Sequence, residues 1–304
     1  MTGRIFGRLG AVLLGLAPSF AAAVSMQTLD DAWWTGPILA ANAATLPQGH
    51  FLVEPYLFDS IVPRQQTLGS LTYALYGVTD KITAGVIPRL GYTLSSEQGR
   101  SSGVQLGDAA LQAQYRLAQF EMGSWIPTTS MVVGETFPTG RYDRLGNHPN
   151  DGFGAGVHTT TVSLYTQDYF WMPTGRILRA RLDLSYAFSD TARVRDVSVY
   201  GTPAGFMGRA SPGDSYTVDA AGEYSVTRHW VLALDSVYQH NDSTRVAGNG
   251  VAFSSGASES VSFAPAVEYN WNATIGVIVG VKFSTHARNT SSPVIPVVAL
   301  NMVY

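Results

Sequence analysis

Residues 258–304 alternate apolar and polar side chains almost without a break, and few folds accept such a pattern. Ile275, Val277, Val279, Val281 and Phe283 share one parity, and Thr274, Gly276, Ile278, Gly280, Lys282 and Ser284 the other. A repeat of two puts successive side chains on opposite faces of an extended strand. The preceding run sets Val261, Phe263, Val267 and Tyr269 against Ser260, Ser262, Ala266 and Glu268, and only Asn270-Trp271-Asn272 separates the two runs, as in a tight hairpin. The sequence closes on Val298, Leu300, Met302 and Tyr304 in the same alternation. An apolar face with aromatic ends suits lipid.

Similar runs recur upstream. Expected strands cover 51–58, 67–78, 81–94, 105–117, 124–137, 155–167, 176–188, 215–226, 230–240, 258–269, 273–285 and 294–304, twelve in all. Short turns at 78–81, 117–123, 168–175, 226–229 and 270–272 alternate with longer Gly-, Ser- and Pro-rich connections, the longest at 138–154, 189–214 and 241–257. Barrels of the bacterial outer membrane show this asymmetry, with short turns towards the periplasm and long loops outside, and an even strand number brings both barrel ends to the periplasmic rim. The expected fold is therefore all-β, a transmembrane antiparallel up-and-down β-barrel. A soluble β-sandwich is the alternative, but it leaves too many apolar faces with too few core partners.

Arg4 and Arg8, the apolar run 11–17 and Ala21-Ala22-Ala23 have the form of a signal peptide over 1–23. The apolar run falls far short of the ~20 residues a spanning helix needs. Residues 24–50, Ala- and Pro-rich and without period, read as an N-terminal extension. Trp33 and Trp34 are costly to leave in water and make it a candidate lumenal plug. The barrel proper is 51–304. Charged residues make up only 13% of the chain, against about 25% in typical soluble domains. A net charge of −3 without a basic patch argues against nucleic acid as a partner.

With the apolar parity turned to lipid, the charges collect on the other face. Arg179, Arg181 and Asp183 alternate with Leu178, Ala180, Leu182 and Leu184, and Asp108 and Arg116 lie on the polar parity of their strand. Glu54, Arg89, Asp219, Glu223, Asp235, Glu268 and Lys282 complete the lumenal set. One Arg on the lipid face would cost about 2–4 kcal/mol at mid-bilayer, so inward placement is favoured. The arginines are expected to face lumenal acids such as Asp183 and Asp219. Such residues either fill the barrel as a paired network or line a selective constriction.

No cysteine is present, and the six histidines lack metal-site spacing, so no cofactor or metal is expected. His158 with Ser163 is the best hydrolase pair the sequence offers, and Thr-rich strand faces generate such pairs by chance. Three function classes stay open: a channel or transporter, a structural or adhesive barrel, and a barrel hydrolase.

Glu54-Pro55-Tyr56, Tyr76-Gly77-Val78-Thr79-Asp80, Leu106-Gly107-Asp108, Pro138-Thr139-Gly140 and the terminal Tyr304 together resemble the outer-membrane transporter family named for the MetA pathway of phenol degradation. The resemblance covers nearly the whole chain after residue 23 and implies a bacterial outer-membrane barrel admitting small, often hydrophobic or aromatic, solutes. It names no catalytic residue. The expected partners are outer-membrane lipid, a small-molecule solute and the barrel assembly machinery, reached through the strand that ends at Tyr304.

Overall fold

The computed structural model describes residues 25–304, so the expected signal peptide lies outside the described residues. The barrel strands are β1 (Phe51–Val62), β2 (Gln65–Thr79), β3 (Ile82–Ile87 and Arg89–Ser95, joined at Pro88), β4 (Gln105–Leu106 and Ala110–Ala118), β5 (Thr128–Thr136) and β6 (Thr159–Trp171). They continue as β7 (Ile177–Ser189), β8 (Ser215–Ser225), β9 (Trp230–Asn241), β10 (Ser258–Asn270), β11 (Ile275–Arg288) and β12 (Val294–Val303). Each pairs antiparallel with its neighbours in sequence, and β1 pairs with β12, Phe58 opposite Val297, which closes a transmembrane barrel of twelve strands. Closure removes the open edges that hydrocarbon cannot satisfy. Among the described residues there is no α-helix.

All twelve expected runs are present, and their bounds move for local reasons. Pro88 offers no N–H and splits β3. β5 begins at Thr128 because Ser124 still belongs to the turn, its N–H bonded to Glu121 O, and Pro127 cannot donate. β6 begins at Thr159, since the Ala155 N–H is taken by Asp108 and Gly156 sits at φ 71°.

The apolar parity faces outward: Leu232, Leu234 and Val279 are about half exposed, as a lipid-facing wall requires. Aromatic pairs ring both ends. Phe51–Tyr76 (4.6 Å between centroids) and Trp230–Tyr269 (4.8 Å) sit at the short-turn rim, and Tyr186–Phe188 and Tyr216–Tyr238 sit towards the long loops. The inner wall is less uniformly charged than its parity suggests. On β9–β12 it is small and apolar at Ala233, Ala264, Ala266, Ile278 and Ala299.

The connections over 189–214 and 241–257, which look small and polar in sequence, fold into a second sheet. Ala192–Arg195, Met207–Ser211, Arg245–Gly248 and Val251–Ser254 form four antiparallel strands. Val194, Phe206, Ala210 and Val246 bury themselves there against Val157. Each strand is only four or five residues long, too short for alternation to register in the sequence.

Candidate functional site

The lumen is occupied by the chain's own N-terminal segment. Its entry is fixed at the short-turn rim, where the Trp33 N–H bonds Arg228 O, Asp31 pairs with Arg228, and the Trp33 ring meets His229 edge-on at 4.8 Å. Asp31 lies outside the barrel wall, and its hydrogen bonds from Thr28 and Arg228 hold its carboxyl below the usual range. From there the segment crosses the barrel on three carboxylates. Glu268 Oε2 accepts the N–H groups of Thr35 (2.7 Å) and Gly36 (3.3 Å). Asp235 accepts those of Ile38 (3.1 Å), Leu39 (3.3 Å) and Ala40 (2.9 Å), and Asp183 accepts that of Ala41 (2.6 Å).

On the far side, Gln114 donates to the carbonyls of Asn42 and Ala43, and Ser130 Oγ donates to Ala43 O (2.6 Å). The segment returns to the rim through Thr45 Oγ1 to Asp80 O and the Gln48 N–H to Asp80 Oδ1, then enters β1. Two glycines on the wall make room for it. A Cβ on Gly276 would stand 2.1 Å from Thr35 Oγ1, and one on Gly77 would stand 2.0 Å from Pro47 O.

The arginines do not face Asp183 and Asp219, as the sequence suggested. Both turn to Glu223, because β7 and β8 register Arg179 directly opposite it. Arg179 makes a two-pronged contact with Glu223 (2.6 and 2.5 Å) and lies 4.6 Å from the Trp34 ring centre. Arg181 Nε is 3.1 Å from Glu223 Oε2, within ion-pair reach but not aligned as a hydrogen bond, and its Nη1 donates to Ala40 O (2.8 Å). Asp183 is engaged by the segment instead. Asp219, opposite Asp183 in register, makes no side-chain hydrogen bond among the described residues. The segment's need for N–H acceptors was invisible to a reading that paired charges with charges.

Other expected residues fall into separate places. Glu54 accepts a bond from Asn301 (3.2 Å) beside a cavity of about 270 Å³ that also touches Trp34, Arg179 and Arg181. Arg116 lies half-buried next to an irregularity in the β4–β5 pairing, apart from the carboxylates that hold the segment. Asp108, Arg89 and Lys282 line a different cavity of about 900 Å³ on the long-loop side, together with Phe153 and Tyr200. Asp108 sits at the gap within β4 and accepts the N–H groups of Gly140 (2.8 Å) and Ala155 (2.6 Å). Burial and the charge of Asp108 push the Tyr200 phenol up to about 12, and its hydroxyl donates to Ala155 O. His158 and Ser163 are not brought together: His158 contacts Glu135 (3.1 Å) and Ser163 bonds Ser185 (2.7 Å).

A closed barrel with an apolar exterior and a polar, self-threaded lumen is an outer-membrane-type channel fold. The chain belongs to the family described as "Putative MetA-pathway of phenol degradation", which matches residues 40–292. An outer membrane channel of Pseudomonas putida F1 has a similar structure, with TM-score 0.68 and 15% identity over 87% of this chain and 98% of that one. At that identity the likeness carries the fold alone. The NanC porin is more distant, with TM-score 0.44 and 10% identity over 82% of this chain and 98% of that one, and carries no argument. No curated protein sequence matches the chain.

Proposed function

We propose that the protein is a bacterial outer-membrane channel for small hydrophobic or aromatic solutes, with the segment 25–46 as a displaceable plug. The short-turn rim then faces the periplasm and the long loops face outside. The observation that carries this reading is the set of six backbone N–H groups of residues 35–41 held by Glu268, Asp235 and Asp183. A barrel built only to be filled has side chains for that purpose, and a stretch of exposed peptide is a costly alternative. Bonds to carboxylates are worth about 1.5–3 kcal/mol each, while ordering backbone costs about 1–2 kcal/mol per residue. Over this stretch the two are of similar size, and the further contacts of Ala40 and Ala43 with Arg181, Gln114 and Ser130 set how firmly the segment is seated. Family membership and the fold of the Pseudomonas putida channel support the same reading.

Planar-bilayer conductance of the purified protein tests it. Deleting residues 25–46 is expected to raise the single-channel conductance several-fold. Unchanged conductance, with the same residues freely cleaved by protease in the folded wild type, would remove the plug. The strand ending at Tyr304, whose backbone exchanges hydrogen bonds with Phe51, is proposed as the signal read by the barrel assembly machinery.

A further inference from the structure

The long-loop cavity differs from the plug layer in charge. Two cations reach it from separated strands, Arg89 from β3 and Lys282 from β11, and neither forms an ion pair among the described residues. Asp219 and Asp235 act on Lys282 through space, and neither is within ion-pair distance of it among the described residues. The one carboxylate in the cavity wall, Asp108, has both oxygens engaged by backbone N–H groups. Asp108 holds the loop with both oxygens and forms no ion pair with either cation. The rest of the wall includes Phe58, Leu71, Phe153 and Tyr200. At about 900 Å³ the space falls in the range of small-molecule sites, which pair a largely apolar wall with a few placed polar groups.

From this geometry we infer that the cavity is a binding site for a small amphipathic monoanion, a ring or short chain carrying one carboxylate, held by Arg89 and Lys282 above the plug. The inference rests on the channel reading for its purpose but not for its test. The apolar wall alone takes up neutral and charged ring compounds alike, whereas two unpaired cations select the anion.

Titration calorimetry on the full chain in detergent micelles, referenced to empty micelles, uses benzoate with its neutral and cationic counterparts, benzyl alcohol and benzylamine. Benzoate is expected to bind at least tenfold tighter than either, and less tightly as salt is raised. Arg89→Gln and Lys282→Gln should each weaken benzoate about tenfold. Arg89→Lys and Lys282→Arg should keep most of the affinity, and Arg193→Gln, on a loop strand, should keep all of it. Equal binding of benzoate and benzyl alcohol, or wild-type benzoate affinity in both Gln variants, would overturn the site. No solute needs to cross for this measurement. Conductance without benzoate binding therefore refutes the site and leaves the channel, and binding without conductance does the reverse.

Discussion

Glu223 carries more of the lumen's order than its single charge suggests. It pairs with both Arg179 and Arg181, each about 95% buried. Removing one partner of a buried ion pair strands the other, at about 3–5 kcal/mol. Glu223→Gln is therefore expected to lower the unfolding free energy of the lipid-reconstituted barrel, read from its urea transition, by that order or to prevent folding. Asp219→Asn, which loses no side-chain hydrogen bond, should leave that free energy nearly unchanged. A second residue-scale test separates the plug's seat from the barrel's own stability. Valine suits a strand better than glycine by up to about 1 kcal/mol, yet a side chain at 276 collides with Thr35 and with the end of the Asn270 side chain, the amide that bonds the segment at Trp33 and Thr35. Gly276→Val should assemble normally while its residues 25–46 become cleavable by protease and its conductance rises.

Among the elements, the strands were legible in the sequence because alternation over ten or more residues has no other physical reading, and the long-loop sheet was not because its strands are too short. The motif residues were visible, but what they grip was not. Gly77 and Asp80 clasp the returning segment at Pro47 and Gln48, while Asp108 and Thr139 tie the loop 137–158 to β4 through Gly140, Ala155 and Ala109. These are contacts between stretches far apart in the chain, which no periodicity encodes.

The same loop carries a pH-sensitive clasp. Burial pushes the Asp151 carboxyl up, but the Ser102 N–H and hydroxyl, with His148 and Arg141, outweigh it and hold the group below the usual range. A depressed carboxylate contributes stability that is complete above its unfolded value of about 3.9 and is lost as pH falls through the lower folded value. Hydrogen-exchange protection in 137–158, referenced to the intrinsic rate, should therefore fall below about pH 3.9, and Ser102→Ala, which removes one source of the depression, should make that fall shallower. On the barrel wall, Val279→Arg or Leu182→Arg should cost about 2–4 kcal/mol and impair assembly, as read by the heat-modifiable gel shift. Gln239→Arg, facing the long-loop cavity, should be tolerated.

At the scale of the whole molecule, the threading of the N-terminal segment dictates a chronology. Thr35 leaves the ribosome early, but its acceptor Glu268 lies 233 residues later, and Asp235 and Asp183 also follow long after the peptide they hold. The carboxylate seat for the segment does not exist until β7, β8, β9 and β10 have paired in turn. The segment therefore cannot reach its place before those strands pair, and it is expected to seat after closure, through an unstoppered stage. In a refolding experiment the gel shift of the closed barrel should appear before residues 25–46 become resistant to protease. A lag between the two would time how long a nascent channel stands open.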